Sequence, residues 1–140
     1  MVYKLYKISH KLYIKNVPII PLIIKGIIRV FFAAAIPYEA EIGENTLLGY
    51  SGLGIVIHKN AVIGKNCVIS QNVTIGGTQG QKNVPVIEDN VEIGAGANII
   101  GNVRIGRGAV IGAGAVVISD IPKNAIAVGV PAIVKKINQV

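Results

Sequence analysis

An aliphatic residue recurs at every sixth position through most of this 140-residue chain. The anchors of the repeat begin at residue 36 and are Ile36, Ile42, Leu48, Ile57, Ile63, Ile69, Ile75, Ile87, Ile93, Ile99, Ile105, Ile111 and Val117. A helix of period 3.6 cannot keep this pattern on one face, whereas three short strands joined by tight turns can, because each coil then takes three hexads. The period predicts an all-β solenoid, a parallel β-helix, over residues 36–124.

Coils of three hexads place equivalent residues 18 positions apart. This interval predicts one inward stack of anchors, formed by Ile57, Ile75, Ile93 and Ile111. It also predicts that one edge of the solenoid carries His58 above a strip of small residues. The strip follows from the same interval and consists of Gly76, Gly77, Gly94, Ala95, Gly112 and Ala113. A strip without large side chains leaves room for a long, thin ligand beside exposed backbone groups.

Two breaks in the period predict loops, at residues 49–54 and 76–83. Both segments are rich in glycine and flank the predicted position of His58. Loops on a rigid scaffold beside a histidine form a candidate active site. The side chains predicted to contact the substrate are Tyr50, Ser51 and Thr78.

The first 35 residues differ from the repeat and predict a short helical extension. Four lysines fall on one stripe of a helix: Lys4, Lys7, Lys11 and Lys15. Pro18 and Pro21 separate this helix from a second one, whose apolar sequence is interrupted by Lys25 and Arg29. Each of those charges opposes insertion across a bilayer by roughly 2.5–3.5 kcal/mol. Three interpretations stay open: residues 1–34 pack on neighbouring subunits, they make a peripheral contact with a membrane surface, or they form a cleaved or membrane-spanning segment.

The composition limits the classes of partner. Hydrophobic residues make up 51% of the chain and charged residues 15%, which predicts an oligomer or a membrane contact that covers apolar surface. The net charge of +7 favours an anionic ligand, while the aromatic content of 5% argues against a nucleic-acid partner. Cys67 is the only cysteine and is predicted to pack in the core. Without a disulfide framework, the protein is expected in the cytoplasm or at the inner face of the membrane.

Residues 125–140 are predicted to form a carboxyl-terminal tail. Three lysines are expected to collect at the end of the solenoid opposite His58, where they would meet an anionic ligand group: Lys123, Lys135 and Lys136. The alternative is that these lysines are simply solvated.

The repeat motifs resemble those of the hexapeptide-repeat acyltransferases, and more closely serine acetyltransferase and its relatives in surface-polysaccharide clusters. The segments that carry the likeness are Ile55–Ile57, Ala61–Gly64, Asn72–Thr78, Ile93–Ala97, Ile111–Val117 and Gly129–Ala132. The resemblance implies a left-handed β-helix, a homotrimer, and acetyl-CoA held between adjacent β-helices.

Four positions differ from the serine acetyltransferase pattern. By resemblance, Tyr50 stands where that family has its catalytic histidine, and Val84 where it has a second active-site histidine. Ala35 lies near the place of the partner aspartate, and Ile133 replaces an arginine. These differences favour a sugar or surface-polysaccharide precursor as the acceptor, with serine O-acetylation in cysteine biosynthesis as the alternative.

The predicted reaction is direct transfer of acetyl from acetyl-CoA to a hydroxyl group. His58 is the predicted general base, and backbone N–H groups near Gly76, Gly77 or Gly94 are predicted to stabilise the oxyanion. The CoA arm is expected along Gly77, Ala95 and Ala113, with its phosphates at the three carboxyl-terminal lysines. A zinc enzyme on the same scaffold would need about three histidines and the chain has two, so no metal is expected. A non-catalytic binding or structural solenoid is the remaining alternative.

Overall fold

The structure, a computed structural model, describes residues 1–139 and consists of a helical hairpin followed by a solenoid of short strands. Helix α1 is Val2–Ile14 and helix α2 is Ile20–Phe32. The strands are β1 Glu41–Ile42, β2 Leu47–Leu48, β3 Val56–Ile57, β4 Val62–Ile63, β5 Val68–Ile69, β6 Thr74–Gly76, β7 Val86–Ile87, β8 Glu92–Ile93, β9 Asn98–Ile100, β10 Arg104–Ile105, β11 Val110–Ile111, β12 Val116–Val117, β13 Ala125–Val128 and β14 Ile133–Ile137. Among the described residues, neither helix is long and apolar enough to cross a membrane.

The strands form three sheets, which are the three faces of a left-handed parallel β-helix of about four coils. The first face contains β1, β4, β7 and β10, and the third face contains β3, β6, β9 and β12. The second face contains β2, β5, β8, β11 and β13, with β14 added antiparallel at its end. The predicted fold class, an all-β solenoid with a short helical extension, is therefore confirmed. We name each corner after the face that precedes it along the chain.

Side chains alternate between core and surface within each strand, as the hexad pattern predicts. In β2, Leu47 is 60% exposed and Leu48 only 5%. The anchors of all four coils fill the interior, and Cys67 is buried among them, as predicted. Burial of the core, at roughly 25 cal/mol per Å² of apolar surface, drives the coils together.

The predicted stack of four anchors is wrong. Ile57 and Ile75 align with each other, but the next residue in their column is Ile99. Ile93 and Ile111 belong to the second face, where Ile69 precedes them. The cause is the loop after β6, which leaves the solenoid without contributing a strand. It lengthens the offset between the second and third coils to 24 residues, as in the pairing of Thr74 with Asn98.

The solenoid also extends beyond its predicted end at residue 124. Strand β13 pairs with β11 in parallel, and both Ala125 and Ala127 are fully buried. Strand β14 then turns back and pairs antiparallel with β13. Part of the predicted tail is thus the last strand of the second face.

Helix α1 covers the free edge of the first coil. Three of its side chains bond backbone groups there: the Tyr3 hydroxyl donates to the Gly43 carbonyl (2.8 Å), and His10 Nδ1–H donates to the Tyr38 carbonyl (2.6 Å). The buried Tyr6 hydroxyl donates to the Ala40 carbonyl and accepts from the Ile42 N–H. Unpaired edge groups are costly and prone to association, so these bonds close one end of the solenoid. The inner face of the extension therefore packs on its own chain.

Tyr6→Phe should lower the free energy of unfolding by about 1–3 kcal/mol, because two buried backbone groups lose their partner. Denaturant titration measures the change. Tyr13→Phe is the control, since Tyr13 on the same helix is 45% exposed. Equal stability of the Tyr6→Phe and Tyr13→Phe proteins would contradict the capping role.

Burial raises the pKa of Tyr6 to about 12. Since this lies above the value of about 10 expected in the unfolded chain, the stabilisation is complete below pH 10 and is lost as pH rises through 12. The stability difference between wild type and Tyr6→Phe should therefore stay constant up to about pH 10 and narrow above it.

Candidate active site

Apart from the three carboxyl-terminal lysines, the predicted site residues lie at two edges of the third face. His58, Gly76 and Gly77 lie at the third corner, and Thr78 follows in the loop that leaves there. The other residues lie at the second corner, on the opposite edge of the same face: Tyr50, Ser51, Gly94, Ala95 and Ala113. The predicted continuous strip below His58 is therefore wrong: within one chain, the 24-residue offset sends Gly94, Ala95 and Ala113 to the other edge.

His58 is half-buried beside the start and the end of the 76–85 loop. A methyl group at Gly77 would lie 3.6 Å from His58 Cδ2 and 3.2 Å from Val84 Cγ1. Val84 is only 8% exposed, so an apolar side chain lies on the same side of Gly77 as the imidazole. The sequence offered a signal for this position, an apolar residue just before Pro85 at the end of a polar loop, but Val84 was not predicted to line the site.

A backbone hydrogen bond fixes the tautomer of His58. Nδ1 accepts from the Asn60 N–H at 3.1 Å, so in the neutral ring the proton resides on Nε2. The group directed at Gly77 is then a hydrogen-bond donor. To act as a base through Nε2, the ring would have to carry its proton on Nδ1 and give up the bond to Asn60. The geometry favours donation, for which oxyanion stabilisation is the suitable task.

The loop at the second corner holds its side chains outward on a strained backbone. Tyr50 and Ser51 have φ values of 49° and 55°, a region that non-glycine residues seldom adopt. Tyr50 is 77% exposed. Gly52 anchors the loop: a methyl group there would lie 3.2 Å from Val2 Cγ1 of α1 and 3.4 Å from Ala34. Strain of this kind is concentrated at functional sites.

The glycines of the two corners serve different purposes. A Cβ at Gly94 would lie 2.5 Å from the backbone nitrogen of Ala113, so close stacking of coils requires glycine there. A Cβ at Gly76 would meet nothing closer than 3.6 Å, the Cδ1 of Ile100. Close packing thus requires glycine at Gly94 but not at Gly76.

The three predicted phosphate-binding lysines do not form one cluster. Lys123 lies at the first corner, where it lines a groove with Glu88 and Arg104. A hydrogen bond from Arg104 (2.8 Å), then the Arg107 N–H and the nearby Lys123 charge, hold the pKa of Glu88 below its usual value. The other two, Lys135 and Lys136, are exposed on β14 at the end of the second face. The second-corner residue Ala113 lies on that side of the solenoid.

Thr78, in the loop after the third corner, lies near Gly101 of the next coil. Its Oγ1 lies 3.4 Å from the position of a Cβ on Gly101, which has a φ of 89°. Gly101 is buried and was not predicted as part of the site. Within residues 1–139, no three histidine, cysteine, aspartate or glutamate side chains group closely enough to hold a metal ion.

Residues 85–119 match the bacterial transferase hexapeptide family (six repeats). The chain is a hexapeptide-repeat protein. It is 37% identical over 128 residues to a serine acetyltransferase of Synechococcus elongatus, covering 90% of this chain and 52% of that relative. A soybean serine acetyltransferase complexed with serine superposes with a TM-score of 0.89 at 39% identity, covering 95% of this chain and 55% of that one.

A serine acetyltransferase in complex with CoA superposes with a TM-score of 0.88 at 37% identity and the same coverage of 95% and 55%. This hexapeptide-repeat protein thus spans about half the length of the relatives it matches. The named relatives agree with the alternative acceptor, serine, and give no support to the sugar or surface-polysaccharide acceptor.

Gly94→Ala should destabilise the protein by about 1–3 kcal/mol, because the new methyl group overlaps the backbone of the next coil. Gly76→Ala, the matched control, should stay within roughly 1 kcal/mol, since the same methyl group there makes only ordinary contacts. Thermal unfolding of both variants measures the difference. Equal losses of stability in the two variants would contradict the conclusion that packing requires glycine at Gly94 but not at Gly76.

Proposed function

We propose that this protein transfers an acetyl group from acetyl-CoA to the hydroxyl of a small acceptor, with serine as the acceptor. The observation that carries the proposal is the likeness to serine acetyltransferases over nearly the whole chain, both helices included. Structures of such relatives with CoA and with serine superpose at TM-scores of 0.88 and 0.89.

The division of the site between two edges supports an active homotrimer. The second corner, with Tyr50 and Ala113, and the third corner, with His58, meet only when a second copy approaches the same cleft. A ring of three copies gives three equivalent clefts of this kind. Apolar side chains exposed along this part of the surface provide contact area, among them Leu47, Leu53, Val56 and Ile118.

Sedimentation equilibrium should give three chains per particle, because each cleft needs residues from two copies. An active monomer would contradict the shared site.

The chemistry follows from acyl transfer in a ternary complex. The acceptor oxygen attacks the thioester carbonyl carbon, an oxyanion forms, and the carbon–sulfur bond then breaks to release CoA as its thiol. The proton of the acceptor hydroxyl ends on the departing sulfur. In this proposal His58 Nε2–H, which lies near Gly77, donates a hydrogen bond to the oxyanion.

A sugar hydroxyl is the second candidate acceptor, and Tyr50 is the observation that favours it. By resemblance, Tyr50 replaces the catalytic histidine of serine acetyltransferases, and its exposed phenol ring changes the shape of the acceptor site. The buried Val84 likewise replaces a second histidine.

A thiol-release assay tests the proposal. The purified protein is incubated with acetyl-CoA and either serine or a panel of free and nucleotide-linked sugars, and free CoA is measured. Release that depends on serine supports the proposal, and release that depends only on a sugar favours the second candidate. Binding of acetyl-CoA in a calorimeter without release by any acceptor would leave a non-catalytic binding solenoid.

His58 variants separate a hydrogen-bond donor from a base. If Nε2–H stabilises the oxyanion, His58→Ala should lower kcat about 10²–10³-fold, and His58→Gln, which keeps an N–H donor, should recover about tenfold. Lys59→Gln, at the exposed neighbouring residue, is the control and should leave kcat unchanged.

A different result would support the predicted role of His58 as general base. If His58 is the base, His58→Gln would be as inactive as His58→Ala, because glutamine keeps an N–H donor but cannot accept a proton. Full activity of His58→Ala would remove this histidine from the mechanism altogether.

A further inference from the structure

The outward face of helix α2 is apolar along its whole length. Its inner side packs on the rest of the protein through Pro21 and Ile28. The exposed aliphatic and aromatic side chains at or next to this helix are Ile19, Ile20, Leu22, Ile23, Ile27, Val30 and Phe31. Val30 and Phe31 are each 76% exposed. An apolar helix face of this size is normally covered by a partner or a membrane.

The positive charge of the protein is concentrated in the same hairpin. Residues 1–35 contain six lysine or arginine residues and no aspartate or glutamate, whereas residues 36–140 contain eight basic and seven acidic residues. The hairpin therefore accounts for six of the seven net positive charges. On α1 and just after it, Lys4, Lys11 and Lys15 are exposed, and on α2 Arg29 is exposed. These cations are exposed on the same hairpin as the apolar face.

We infer that the helical hairpin docks the protein on the surface of a membrane that contains anionic lipids. An apolar face flanked by cations is the pattern by which a helix lies in the interfacial region of a bilayer. Anionic headgroups complement the lysines, each of which contributes roughly a fivefold gain in affinity when it lies near the surface. Neither helix, at 13 residues, is long enough to span the bilayer, so the contact is peripheral.

A second copy of the chain is a poorer occupant of this face. An isologous contact through α2 would bring two hairpins of like charge together, with no acidic residue in either to compensate. An anionic surface meets both features of the hairpin at once.

The hairpin caps the first coil, so docking would orient the solenoid end-on. The first coil carries Tyr50 and His58, which would then be the site residues nearest to the lipid. This inference does not depend on the acetyl acceptor, because it rests on the hairpin alone.

Vesicle flotation of the full chain tests the inference, with vesicles of phosphatidylcholine alone and of phosphatidylcholine with 30% phosphatidylglycerol. The wild type should float with the anionic vesicles and lose most of that binding in high salt. Val30→Asp should abolish flotation. Val130→Asp is the matched control, since Val130 is 72% exposed at the far end of the solenoid, and it should float like wild type.

Charge is tested by a second matched pair. Lys11→Glu should weaken binding to anionic vesicles at least about twentyfold, since it removes one cation and adds an anion, whereas the exposed Lys59→Glu should have a smaller effect. Failure of the wild type to float, or equal effects within either pair, would overturn the inference. So would a larger assembly of the wild type that Val30→Asp dissociates without any vesicle binding, because a second copy would then cover the face.

Discussion

Backbone hydrogen bonds between successive coils are the constraint on which the remainder of this structure depends. Most strands contain only two residues, so no strand is stable alone and each acquires its position from the coil before and after it. Register is set by those bonds, which bring the Gly94 N–H to the Ile111 carbonyl and the His58 N–H to the Ile75 carbonyl. Tight contacts between corners follow, and they explain why glycine is required at Gly94 and optional at Gly76.

The repeat predicted nearly all strands and the core, because inward and outward positions alternate wherever a hexad forms a strand. Both loops were also predictable from breaks in the period. The stacking of residues in successive coils was not predictable, because a loop adds residues to the sequence without adding a strand to the solenoid. After the loop that leaves at Gly76, every later residue sits one face away from the place that a constant interval assigns to it. Ile99, rather than Ile93, therefore follows Ile75.

The candidate site was predictable in part. A histidine at a corner, with a glycine pair beside it, could be read from the sequence, and the structure places His58 next to Gly77. The protonation pattern of the His58 ring could not be predicted, because it is set by the backbone N–H of Asn60, which every residue type except proline would provide. The position of Tyr50 and His58 at opposite edges of the third face could not be predicted either, because it depends on the register of the strands. In the proposed trimer, the two edges of neighbouring chains would form one site, and no property of a single chain's sequence specifies that contact.

The two ends of the solenoid are closed in different ways, and this governs how the protein can grow. At one end, Tyr3, Tyr6 and His10 bond the free edge of the first coil. At the other, the antiparallel β14, with a bulge and two lysines, covers the last parallel strand. A solenoid with bare ends could add further copies along its axis and polymerise into a fibre. Because these edges are covered, side-by-side contacts between copies are favoured over growth along the solenoid axis.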